Sequence, residues 1–401
     1  MLTSLSFIFL VGLAMGAICQ KLKLPRIIGM LATGIVLGPY VLDLLDLSIL
    51  SISSDLRKMA LIIILLKAGL SLNLEDLKKV GRPAIMMAFV PATFELIGYL
   101  VFAPLILGIT RVEAAVMGSV LAAVSPAVVV PRMVQLMENK YGTEKAIPQM
   151  IMAGASCDDI FVIVLFTTFL SMAQGGSADI KAFVNIPISI ILGIILGAIV
   201  GYLLYLFFET AYAKKHYVRN SMKVIIVLGF SFLLIAIEGW LEGKIAVSGL
   251  LAVVSMACVL KMKCTSFVSK RLSEKFGKLW FAAEVILFVL VGAAVDIRYT
   301  LDAGLAAVAM IFAALIFRSF GVWLCTVKTS LTLKERAFCV IAYLPKATVQ
   351  AAIGSVPFAA GLPCGKIVLS VAVMAIIITA PLGAFGMDFT YKKFLHKESE
   401  R

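Results

Sequence analysis

The sequence predicts an all-α polytopic membrane protein: about 13 transmembrane helices, built as inverted repeats around two broken helices that cross. Three observations carry that prediction. Of 401 residues, 62% are hydrophobic and 15% charged, with a mean hydropathy of +1.06, so apolar runs long enough to span lipid recur along the whole chain. Lysine and arginine alternate between loops that are rich in them and loops that are poor. Two apolar segments are interrupted by proline at corresponding places.

The spans are expected at about 3–20, 27–42, 57–73, 84–108, 113–137, 147–172, 184–208, 221–240, 245–261, 279–296, 303–327, 335–357 and 366–387. Helix is assigned throughout, because a helix satisfies its own backbone in lipid and no alternating β pattern is present. The first segment has the hydropathy of a signal sequence. It lacks an early lysine or arginine and an AxA-type cleavage site, so it reads as a retained span. Gly12 and Gly16 in the first span, and Gly193, Gly197 and Gly201 in the seventh, form small-residue ridges suited to close packing within the chain or to a subunit interface.

Loop charge gives an independent check on that division. With these spans, 26 of the 36 lysines and arginines fall on one side of the membrane and 7 on the other. A wrong span count would scramble the segregation. The basic side is then cytoplasmic, with the N-terminus outside and the C-terminus inside. The net charge of +13 is explained by this asymmetry, and nucleic acid binding is not needed to account for it.

Ionisable residues inside spans are the costly exceptions. Lys67, Glu238 and Glu284 lie near span ends, where snorkelling accounts for them. Glu95, Asp158, Asp159, Arg318 and Lys346 sit deeper. Adjacent aspartates in one apolar span have no packing rationale, and their repulsion calls for a proton, a cation or a basic partner.

The fifth span holds Ser125-Pro126-Ala127-Val128-Val129-Val130-Pro131, and the twelfth Leu344-Pro345-Lys346-Ala347-Thr348-Val349-Gln350. Proline removes backbone donors and breaks the helical ladder. At membrane depth, broken backbone is tolerated where it lines a site, and paired interruptions point to a transporter built from inverted repeats. Glu95 precedes the first break and Arg318 the second. Equivalent members of the three-span groups they belong to lie seven spans apart, an odd number, so the second group is inverted. These spans, about 84–172 and 303–387, are expected to form one bundle. Lys346 is placed to neutralise the carbonyl ends of the half-helices.

The composition excludes a soluble enzyme. The seven cysteines show no paired motif and read as reduced thiols. With only His216 in a loop and His396 in the tail, no histidine-based metal site is available within the membrane. No filter-like repeat suggests a channel. An intramembrane enzyme would want a nucleophile–base or metal set. A sodium-coupled symporter of an organic anion shares this kind of topology and is the alternative, together with a K⁺/H⁺ exchanger.

Over residues 2–387 the chain resembles the monovalent cation:proton antiporters, which include bacterial sodium/proton antiporters and animal sodium/hydrogen exchangers. The resemblance rests on Ser156-Cys157-Asp158-Asp159 and on the two proline-interrupted stretches, with weaker support from Lys67-Ala68-Gly69-Leu70 and Val291-Gly292-Ala293. The second stretch looks most like the NHA subgroup. The resemblance implies a homodimer in which a core bundle moves against scaffold helices (about 3–73 and 221–296) in an elevator-like exchange, with a linker helix at about 184–208. It further implies that Asp159 binds the cation and carries the proton, that Asp158 is its neighbour, that Arg318 and Lys346 compensate charge, and that Glu95 is an acidic partner for the arginine. Whether Arg318 pairs with Glu95 or with Asp158 stays open.

A hard cation takes oxygen ligands. Asp159, Asp158, Ser156 and the backbone near Ser125 and Val129 are the candidates for transported Na⁺ or Li⁺. No resident cofactor is expected. The partners expected are monovalent cations, protons, a second copy of the chain and lipid, including anionic lipid at the basic loop of 261–278, with bacterial inner membrane as the compartment.

Overall fold

The computed structural model describes residues 1–71, 81–175, 180–215, 220–241, 247–296 and 304–397. Among them every regular element is helical, and the sole β feature is an isolated bridge between Tyr141 and Lys397. The chain divides into two compact units. One comprises Met1–Arg57, Asn73–Val162 and Val285–Arg401, the other Lys58–Leu72 and Ile163–Glu284.

Helices α1 (Leu2–Lys21), α2 (Arg26–Leu37), α3 (Leu47–Leu50) and α4 (Ser53–Ser71) open the chain. Then come α5 (Arg82–Met87), α6 (Val90–Leu107), α7 (Arg111–Leu121), α8 (Pro126–Glu138) and α9 (Ile147–Gln174). The middle holds α10 (Ile180–Lys215), α11 (Asn220–Leu241), α12 (Gly249–Lys263) and α13 (Ser266–Ala293). The last group is α14 (Gly304–Cys325), α15 (Leu333–Ala342), α16 (Thr348–Gly354), α17 (Val356–Ala359) and α18 (Gly365–Phe394).

Nine segments among the described residues are long and apolar enough to cross a membrane. The expectation of about 13 differs for a local reason. The regions expected at 27–42 and 245–261 are helices of 12 and 15 residues, and that at 335–357 is split into short pieces by its break. The region expected at 57–73 is helical as α4, which begins with Asp55, Arg57 and Lys58.

Both broken helices start the same way. Thr110 and Glu113 form a capping box at α7, with Thr110 N–H 2.8 Å from Glu113 Oε2, and Thr332 and Glu335 form another at α15, where the same distance is 2.7 Å. Each box satisfies otherwise orphaned N–H groups at the start of a short half-helix. Within the second unit the ridge of Gly193, Gly197 and Gly201 on α10 packs on the backbone of α12. A Cβ at Gly201 would lie 2.8 Å from the Met256 carbonyl oxygen, so this ridge serves packing inside the chain.

Candidate functional site

Within the first unit, α6 and α14 pack closely because small residues face each other. A Cβ at Gly98 would already touch Ala314 Cα at 3.3 Å, and one at Gly321 would reach Pro91 Cα at 3.0 Å. This approach sets Glu95 beside Arg318, and both are buried. Arg318 Nη1 donates to Glu95 Oε2 at 2.7 Å, and Lys346 Nζ donates to the same oxygen at 2.5 Å. Glu95 thus holds two cations.

The chain between α7 and α8 (residues 122–125) and that between α15 and α16 (residues 343–347) meet directly. Ser125 N–H donates to the Pro345 carbonyl at 2.8 Å. Gln350 bridges the two: its amide nitrogen donates to the Ala123 carbonyl at 2.8 Å, while its oxygen accepts from Ala347 N–H at 2.8 Å. Lys346 N–H donates to Thr379 Oγ1 of α18 at 2.9 Å. Gly383 of the same helix makes room for the break, since a side chain there would collide with the Pro345 ring.

Half-helices end in carbonyls that carry partial negative charge. Lys346 was the expected neutraliser, but Arg318 occupies that place. It donates through Nε to the Tyr343 carbonyl at 2.6 Å and through Nη1 to the Ala122 carbonyl, so one side chain serves the ends of both α7 and α15. Its guanidinium also lies over the Tyr343 ring, 5.4 Å from the centroid. A planar group with five donors reaches several acceptors at once, which a lysine ammonium cannot do in the same geometry.

The two aspartates are treated differently. Asp158, fully buried, accepts from Val124 N–H at 2.7 Å and lies 3.4 Å from Arg318 Nη2. Arg318 therefore contacts both acids, with Glu95 the nearer. Asp159, 6% exposed, forms no ion pair or hydrogen bond among the described residues. Adjacent positions on a helix point about 100° apart, so Asp158 engages the break at Val124 and Arg318 while Asp159 faces a different direction.

Four buried side-chain oxygens here have no hydrogen-bond partner among the described residues: Ser125 Oγ, Asp158 Oδ1, Asp159 Oδ1 and the Tyr343 hydroxyl. The Ser125 carbonyl, in contrast, accepts from the Val128 and Val129 N–H groups at 3.2 Å each, and Val129 is buried one turn into α8. The backbone of Ser156 belongs to α9, and its side chain lies outside the described residues. Fully ionised, the five buried groups carry three negative and two positive charges, which leaves the cluster one positive charge short of neutrality.

A family model described as "Sodium/hydrogen exchanger, transmembrane" matches residues 5–392 of this chain. The chain belongs to the sodium/hydrogen exchanger family. It is a multi-pass membrane protein of the cation:proton antiporter superfamily, a transporter and not an enzyme. Among curated relatives, mouse sodium/hydrogen exchanger 9B2 is 33% identical over 94% of this chain and 70% of its own length. Human sodium/hydrogen exchanger 9B1 is 32% identical over 98% of this chain and 78% of its own. Among solved structures, the sodium proton antiporter MjNhaP1 of Methanocaldococcus jannaschii superposes with a TM-score of 0.81, covering 97% of both chains at 20% identity. That likeness establishes the exchanger fold.

Sequence reasoning identified the five charged residues and did not single out Gln350 or the carbonyls of Ala122 and Tyr343. Gln350 had one available signal. It stands three residues after Ala347, where the helix restarts, which is the spacing of a residue that reaches back to cap the restart.

Proposed function

We propose that this exchanger-family chain trades Na⁺ or Li⁺ for H⁺, with cation and proton competing for Asp159. The observation that carries the reading is the charge balance of the buried cluster together with the partners of its acids. Glu95 and Asp158 are occupied by Arg318, Lys346 and a backbone N–H, whereas Asp159 has no partner among the described residues. A bound cation or a proton on Asp159 supplies the one missing positive charge, and only a neutralised site crosses a low-dielectric barrier cheaply. Ser125 Oγ, Asp158 and Ser156 are the further oxygen ligands in this reading, with the backbone around Val129 closing the shell.

In the same proposal the bundle of about 84–172 and 303–387 carries the site in an elevator-like movement. Helices at about 3–73 and 221–296 form the scaffold of a homodimer, and 184–208 links the two. The resemblance supports the dimer, and the segregation of loop charge supports an outside N-terminus and a cytoplasmic C-terminus, with a bacterial inner membrane as the compartment in this reading. Anionic lipid at the basic segment 261–278 belongs to this reading too.

The test is cation-induced collapse of a pH gradient in inside-out vesicles, with Na⁺, Li⁺ and K⁺ compared and no organic solute present. Wild-type protein is expected to respond to Na⁺ and Li⁺, and Asp159→Asn to neither. Wild-type exchange by Asp159→Asn overturns the role of Asp159, and a response that requires an organic anion establishes symport instead.

A further inference from the structure

The turn between α8 and α9 joins the half-helix that carries Val129 to the helix that carries Asp158 and Asp159, and it is fastened at several independent points. Lys145 Nζ lies 2.8 Å from Glu335 Oε2, the same carboxylate oxygen that closes the capping box of α15. Gly142 N–H donates to the His396 carbonyl at 2.8 Å, and Tyr141 pairs with Lys397 in the isolated bridge. The Tyr141 and Tyr391 rings meet edge to face with centroids 5.1 Å apart. Arg132 on α8 grips Asp388 of α18 with both arms of its guanidinium, at 3.0 and 3.1 Å. One short turn thus ties together the ends of α8, α9, α15 and α18, which are the two broken helices and the helices that flank them.

The backbone of the turn is held in an unfavourable shape. Lys140 and Ala146 have φ of 59° and 50°, in the left-handed region, where a Cβ crowds the following carbonyl oxygen. Strain of this kind persists where surrounding contacts over-determine it. The strain and the fastenings coincide in the connection that sets how far α8 and α9 are shifted along each other.

We infer that the 139–147 turn is a register clamp for the cation site, and that Lys145 and Glu335 are positioning residues. They do not touch the ion. Helices are stiff enough that a displacement at the turn reappears at the far end, where Ser125 on one side and Asp158 and Asp159 on the other must be held to within about 0.5 Å to share a small cation. The ion pair to Glu335 keys that register to the second broken helix, whose Pro345 carbonyl already receives the Ser125 N–H.

The inference rests on the exchange reading above, and its test separates the two. Lys145→Glu and Lys145→Arg are each reconstituted, and the Na⁺ concentration for half-maximal exchange is measured beside the maximal rate and the Na⁺-induced rise in melting temperature. Lys145→Glu is expected to raise the half-maximal Na⁺ concentration by roughly tenfold, as loss of partners outside a first coordination shell does, with the maximal rate within about twofold. Lys145→Arg is expected to match wild type. Wild-type Na⁺ dependence in Lys145→Glu overturns the clamp, as does a fall in rate and melting temperature at unchanged Na⁺ dependence. Should Lys145→Glu fail to fold, Lys145→Gln is read by the same criteria. Absence of exchange in wild-type protein would instead defeat the exchange reading itself.

Discussion

Glu95 and Lys346 are 251 positions apart in sequence and 2.5 Å apart in space, joined through the same carboxylate oxygen that receives Arg318. Glu95 is the acid on which both intramembrane cations of the cluster converge. It lies on α6, outside either break, so it fixes the cations without belonging to the broken backbone.

Replacing Glu95 by alanine removes the carboxylate that Lys346 pairs with and leaves Arg318 only Asp158 as an acidic partner, a loss on the order of 3–5 kcal/mol when one partner of a buried pair is removed. The melting temperature in detergent is expected to fall further for Glu95→Ala than for Glu238→Ala, whose side chain lies near a helix end. Equal shifts would show that Glu95 does not hold the cluster together.

Gln350 is buried and makes two hydrogen bonds, one to each break. Gln350→Leu keeps the bulk and leaves the Ala123 carbonyl and the Ala347 N–H unpaired, at about 1–3 kcal/mol for each buried group. Expected outcomes are a lower melting temperature and slower Na⁺-dependent exchange, while Val349→Ile, one position away, stays near wild type on both measures.

Cys264 follows α12 at its C-terminal end, outside the helix. Burial, and secondarily the Glu209 carboxylate, pushes its thiol up from the ordinary 9.0 to about 11. The folded protein therefore keeps the proton longer than the unfolded chain does. The associated stability is complete below about pH 9 and is lost as pH rises through about 11. Melting curves of wild type and Cys264→Ala should accordingly converge across that interval, and alkylation of Cys264 at neutral pH should be slow.

The two breaks were legible because proline leaves a chemical mark in the sequence: it lacks the N–H that a helix needs. The five charges were legible because lipid makes each of them costly. Their pairing was not. The sequence places Arg318 and Lys346 in the same bundle, but the reach of each side chain depends on how closely α6 and α14 approach, which is set by glycines 98 and 321. Hence the carbonyl ends were expected for Lys346 and belong to Arg318. The paired capping boxes at Thr110 and Thr332 also stood in the sequence, as threonine followed three residues later by glutamate, and they mark the two halves as clearly as the prolines do. The fastening of the 139–147 turn joins segments up to 256 positions apart and has no local signature.

The meeting of the two breaks has a consequence for biosynthesis. When α7 and α8 leave the ribosome and enter the bilayer, the Ala122 and Ala123 carbonyls and the Ser125 N–H have none of their final partners. Arg318, Pro345 and Gln350 are synthesised some 200 residues later. Until then this stretch of polar backbone must be tolerated by water, by the insertion machinery or by a temporary arrangement of helices. The junction of the two breaks is therefore completed only late in synthesis, and a chain interrupted before residue 350 leaves the Ala123 carbonyl without its final partner.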